Sequence, residues 1–399
     1  MPELDTVRAF AVAAPFVHPE RSGKARNGAV SSGRIQSLQV LRAVAALLVV
    51  MFHTQATFAA KTGFMPFGGV FRGGGRGVDL FFVLSGFIVT YLHAADWGQP
   101  SRLPNYLFNR LSRIYPSVWI VTAVTALLVG AGLGGAYSAG KLTFAAVAKT
   151  ALLLPQGDTL VAVTWTLKYE MFFYLAFMLL IVRPRFGWPI FVAWQGAVVV
   201  WALCGSPALG PAVEFYLQPI CLEFSIGMFC AWLVMRPWRQ SSPLALQLAL
   251  LVISIVVFAA GSLVDLYPND NPARLQDVAI FGSSAGMIVT LLVMLEKRTR
   301  LRVPASTVAL GNASYAIYLV HYAVVSRIVF AIARLHNGRV PDALCLLVAA
   351  AAVGAGLVFD RFADQPLQRF LREYKSRWSA TASPRIVVAR GERDPGMPA

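Results

Sequence analysis

The chain has 399 residues, 57% hydrophobic and only 14% charged, with a mean hydropathy of +0.61. Soluble domains average about 25% charged residues, so a water-soluble globular enzyme is excluded and an integral membrane protein is expected. The formal charge of +16 does not point to nucleic acid either, because the Lys and Arg residues lie in the tails and short connections rather than on one patch.

Residues 1–34 have acids near the start and no apolar core followed by a small-residue cleavage site, so a disordered tail is expected, not a signal peptide. His18 reads as a solvated tail residue. Windows apolar enough to cross a hydrocarbon layer of about 30 Å follow. They fall near 37–58, 78–94, 116–135, 164–182, 188–204, 215–235, 244–264, 276–295, 312–333 and 343–363, which makes ten. Pro116 is expected in the first turn of the third. "FAAVAKTALLL", residues 144–154, is too short to span and is expected to be re-entrant or interfacial. The expected fold is an all-α bundle of about ten transmembrane helices over 35–370, between a tail of 1–34 and a basic tail of 371–399.

An even count puts both ends on one side. Of the 35 Lys and Arg residues, 23 fall in tails and loops on that side and 8 in the opposite loops, which makes that side cytoplasmic. "PLQRFLREYKSRW", after the last window, reads either as a basic amphipathic helix on the anionic leaflet or as a charged tail. Cys204, Cys221, Cys230 and Cys345 are isolated in apolar runs and read as packing residues. No metal and no permanently bound cofactor are expected.

A charge at mid-membrane costs about 2.5–3.5 kcal/mol, so each buried one asks for a partner or a task. "LRAVAALLVVMFHTQ" carries Arg42 and His53 on one helical face, about 16 Å apart along the axis. Asp79 opens the second span in "GVDLFFVLSGFIVTYL", Glu170 lies in "TWTLKYEMFFYL", Glu223 in "CLEFSIGMF" and His321 in "SYAIYLVH". With the N-terminus inside, Arg42 falls near the cytoplasmic face, whereas His53, Asp79 and Glu170 fall towards the outer face. "NRLSRIYPSVW" sets Arg110 and Arg113 one turn apart before the third span.

Two layers result, arginines inside and a histidine with carboxylates outside. Guanidinium forks suit phosphate oxygens. A histidine oriented by Asp79 or Glu170 can take a proton from a hydroxyl attacking a thioester. Ordinary hydrogen bonding across the bundle is the competing reading for each buried polar residue. The glycines of "GGVFRGGGRGVD" belong to no Walker or dinucleotide pattern and read as sites of close backbone packing. The aromatic-rich "TWTLKYEMFFYL", Trp165 included, reads either as a face for stacking on a sugar or as interfacial belt residues.

Taken together, "LRAVAALLVVMFH", "GVDLFFVLSGFIVTYL", "RLSRIYPSVW", "TWTLKYEMFFYL", "LEFSIGM", "LGNASYAIYLVH" and "FADQPL" resemble, in order, the signature of the acyltransferase-3 family of membrane acyltransferases. The "TWT…YEMFFY" form resembles its exopolysaccharide branch. The resemblance implies an enzyme of the bacterial inner membrane that uses acyl-CoA, acetyl-CoA above all, as co-substrate and O-acylates a carbohydrate or its lipid-linked precursor. It implies essential roles for Arg42 and His53, a basic donor site at Arg110 and Arg113, and recurrent positions at Asp79, Ser85, Glu170 and His321. Asp364 departs from the family pattern, which has Glu there. The alternative is a secondary transporter or flippase, but its charges would gather near the midplane beside broken helices, whereas here they divide between two layers.

Overall fold

The computed structural model describes residues 35–134, 140–155, 157, 159–236, 243–264, 274–299, 302–335 and 340–382. The expected tail of 1–34 and most of that of 371–399 lie outside them. Among the described residues, ten helical segments are long and apolar enough to cross a membrane, and no strand occurs. Helix is the form such runs must take, because a backbone surrounded by lipid has to close its hydrogen bonds within the segment.

In chain order the helices are α1 (Gln36–Thr62), α2 (Gly77–His93), α3 (Leu103–Gly130), α4 (Phe144–Ala151), α5 (Thr164–Val182) and α6 (Pro184–Leu203). There follow α7 (Pro211–Leu217), α8 (Cys221–Met235), α9 (Leu244–Val264), α10 (Leu275–Thr299), α11 (Ala305–Leu335), α12 (Asp342–Phe359) and α13 (Gln365–Ala382). A π turn at Val278–Gly282 interrupts α10, and another at Asp360–Asp364 joins α12 to α13.

Packing centres on α11 against α1, α2 against α8, and α12 against α11. Lipid-embedded helices attract through close backbone approach rather than hydrophobicity, and α2 and α8 achieve it with reciprocal glycines. A Cβ on Gly86 would stand 2.1 Å from the Phe224 carbonyl oxygen, and one on Gly227 2.1 Å from that of Val83.

Two connections depart from the expected outline. The segment after α1 does not leave the bundle at its end but folds back beside α1 through the short turns Pro66–Gly69 and Arg72–Arg76. It lies so close that a Cβ on Gly74 or Gly77 would come within 2.5 Å of the Leu48 or Ala45 carbonyl. Further on, α4 returns alongside α3, where Trp119 Nε1 donates to the Ala151 carbonyl at 2.9 Å and the Tyr115 hydroxyl to that of Leu152 at 3.3 Å. Buried Leu153, Leu160, Val161 and Val163 then lead into α5. Residues 144–154 thus pack against α3 rather than spanning the bundle, and both α2 and α5 start deep in the bundle.

Pro116 sits inside α3 rather than in its first turn. Proline cannot bond the carbonyl four residues back, and that carbonyl, of Ser112, instead accepts from Gln368 Nε2 of α13 at 2.8 Å. The amphipathic stretch after the last span is therefore a docked helix.

Candidate active site

The arginines of the first layer meet in one cavity of about 800 Å³, lined among others by Arg42, Ser85, Arg110, Arg113, Glu170 and Tyr174. Each guanidinium is held by its neighbours. Arg42 Nε donates to Ser314 Oγ at 3.2 Å. Arg110 donates to His93 Nε2 at 3.0 Å, and His93 Nδ1 then faces Asp96 at 2.8 Å. Arg113 donates to Asp364 at 2.8 Å, with its guanidinium 4.8 Å from the Tyr315 ring centre. The π turn is what brings buried Asp364 inward, where Ser117 Oγ also donates to it at 2.7 Å. Asp364, the departure from the family pattern, thus keeps a carboxylate on Arg113.

Glu170 belongs to this cavity, not to the histidine. Its Oε1 accepts from Ser85 Oγ at 2.9 Å and from the Tyr174 hydroxyl, while the Arg110 guanidinium stands 5.6 Å from the Tyr174 ring centre.

The histidine of α1 finds a partner on α11. His321 Nε2 and His53 Nδ1 are 3.1 Å apart. The surrounding carbonyls settle the protons. His321 Nδ1 faces the Tyr318 and Ile317 carbonyls at 2.7 and 3.2 Å and carries hydrogen, so its Nε2 is an acceptor. His53 Nδ1, which also faces the Val49 carbonyl at 3.0 Å, is then the donor. That tautomer leaves Nε2 of His53 with a lone pair, the form a general base requires.

Asp79 and Glu223 lie elsewhere. Gly77 packs at the level of Ala45, about two turns or 12 Å from His53 along α1, and Asp79 follows it on α2, away from the histidine. Its carboxylate faces Arg76 at 3.7 Å, Arg76 reaches Asp277 at 3.2 Å, and fully buried Glu223 adjoins Asp79. This is a buried cluster of one guanidinium and three carboxyl groups that ties α2, α8 and α10 together. The expected pairing of His53 with Asp79 or Glu170 is therefore replaced by His321, because the folded-back connections carry both acids deeper than a span beginning at the surface would. Trp165 is 43% exposed with its ring against Tyr169, and it does not line the cavity.

Sequence reasoning passed over His93, Tyr318 and Phe81. The signals were present: His93 and Asp96 are spaced i,i+3 in "LHAAD", and Tyr315, Tyr318 and His321 recur every three residues in "SYAIYLVH".

The family model described as an acyltransferase domain matches residues 35–359. The chain is 31% identical over 288 residues to the exopolysaccharide production protein ExoZ of Rhizobium meliloti (strain 1021), covering 69% of this chain and 82% of that one. It is 23% identical over 380 residues to the peptidoglycan O-acetyltransferase OatA of Listeria monocytogenes serovar 1/2a, covering 86% of this chain and 57% of that one. No solved structure matches it.

Proposed function

Because the chain belongs to the acyltransferase-3 family of integral membrane acyltransferases, we propose that it moves an acetyl group from cytoplasmic acetyl-CoA to a sugar hydroxyl of a surface polysaccharide or its lipid-linked precursor. One relative is named for exopolysaccharide production and the other for peptidoglycan O-acetylation, which favours a carbohydrate acceptor. The observation that carries the reading is the cavity holding Arg42, Arg110 and Arg113, whose far end lies one helical turn from the histidine pair.

Phosphates of the donor sit among the guanidinium groups, whose charge is permanent and whose forks match phosphate oxygens. The pantetheine arm runs past Ser85, Glu170 and Tyr174 and carries the thioester towards His53. The sugar hydroxyl enters from the opposite end of the bundle. Nε2 of His53 takes the hydroxyl proton as the oxygen attacks the thioester carbonyl, and the C–O bond forms. The C–S bond then breaks, and the proton passes from His53 to the departing thiolate. The products are the sugar ester and free CoA. His321 is a positioning residue: its Nε2 accepts from His53 Nδ1 and steadies the imidazolium, as a carboxylate does in other histidine bases.

By the positive-inside rule, both ends and the arginine layer face the cytoplasm of a bacterial inner membrane. The test uses purified protein in lipid nanodiscs with labelled acetyl-CoA and the surface polysaccharide of a deletion strain. Labelled ester on the sugar is expected. Transport of an intact precursor with no CoA released and no ester formed would overturn the reading in favour of a flippase.

A further inference from the structure

The cavity and the histidine pair are adjacent but separated. Along α11 a stripe of Asn312, Tyr315, Tyr318 and His321 marks depth turn by turn. The first three line the cavity and His321 does not. Tyr318 is the last side chain of the stripe on the cavity side, and its ring centre is 5.7 Å from that of His321. From α2, Phe81 meets it edge-on, with ring centres 5.8 Å apart. Rings at that spacing are in direct contact, so an alkyl chain does not pass between them unless one moves.

Tyr318 is not free to move. It is 6% exposed, its hydroxyl donates to the Val163 carbonyl at 3.1 Å, and it meets Thr166 Oγ1 at 2.8 Å. Phe81 packs against all three hydrophobic clusters of the bundle. A tethered ring and a wedged ring together narrow the end of the cavity that faces the histidines.

We infer that Tyr318 and Phe81 form a partition that sets the length of acyl group the enzyme accepts, which rests on the acyl-CoA reading of the cavity. A thioester reaches His53 only with its carbonyl at this partition and its acyl tail in the space the two rings leave. The methyl of an acetyl group needs little of it. Each further methylene presses on a ring that can yield only by giving up the Val163 and Thr166 bonds or by repacking the core. In a closed pocket one surplus methylene costs about 10–200-fold.

The experiment measures thiol release by purified wild type, Phe81→Ala, Phe81→Leu and Tyr318→Phe from acetyl-, propionyl-, butyryl- and hexanoyl-CoA, with CoA binding measured alongside. Wild type is expected to lose about tenfold or more per added methylene. Phe81→Ala should raise the butyryl-to-acetyl rate ratio at least about tenfold, Phe81→Leu less so, and Tyr318→Phe should relax the profile by releasing the tether. The proposal is overturned if Phe81→Ala and Tyr318→Phe slow all four donors by one common factor, which would make the rings ordinary packing. A flat chain-length profile in wild type overturns it equally. Wild type that binds no CoA and releases no thiol overturns the donor reading itself, a different result from either of these.

Discussion

Replacing His321 isolates what it does for His53. His321→Ala removes the acceptor 3.1 Å from His53 Nδ1 but leaves the Val49 carbonyl at 3.0 Å. The tautomer therefore survives, and what is lost is one hydrogen bond to the imidazolium formed during transfer. A hydrogen bond to a charged group contributes about 1.5–3 kcal/mol, which at 1.36 kcal/mol per factor of ten is a fall of roughly 10–150-fold in kcat. Loss of His53 itself removes the base and should cost about 10²–10⁴. His321→Gln, whose amide oxygen can stand where Nε2 stood, should recover most of the rate. The assay is acetyl transfer at saturating donor, with CoA binding as a check on folding. In a His53→Ala background, His321→Ala should have no further effect, because it acts only through His53. The reasoning is refuted if His321→Ala leaves the rate unchanged, or if its effect is the same with and without His53.

Arg113→Lys should weaken CoA binding in calorimetry although the charge is kept, since a point charge cannot serve Asp364 and a phosphate with one planar fork; unchanged affinity would return Arg113 to a purely structural role. Gly227→Val should abolish folded protein in size-exclusion chromatography, because a Cβ 2.1 Å from the Val83 carbonyl forces α2 and α8 apart. Arg76→Met should destabilise by about 3–5 kcal/mol, the cost of leaving buried charges unpaired, and Asp277→Asn in the same chain should restore part of the thermal stability. Cysteine labelling should find residues beyond α13 reactive from the same side as those before α1; labelling from opposite sides would refute the ten-span topology.

The ten spans were legible because apolar length is a property of each window alone, and the arginine layer was legible because Arg110 and Arg113 are neighbours in sequence. The depth of Asp79 and Glu170 was not. A hydropathy window places a span between two surfaces and carries no sign that residues 63–76, or 152–155 and 159–163, turn back into the bundle. The glycines of "GGVFRGGGRGVD" did announce close backbone packing, but not against which helix. His53 and His321 lie 268 residues apart, and no local pattern pairs them. The inward turn of Asp364 depends on one extra residue in a helical turn, which composition does not reveal.

The buried ion cluster also bears on how the chain is made. Arg76 and Asp79 emerge from the ribosome with the α1–α2 hairpin, but Asp277, the carboxylate closest to Arg76 at 3.2 Å, appears only after α3 to α9 have been synthesised. Until then Arg76 has Asp79 at 3.7 Å but lacks its closer carboxylate, in a medium where unpaired charge is costly. The full pairing of Arg76 is in this sense a late event, completed by an aspartate in the second half of the protein.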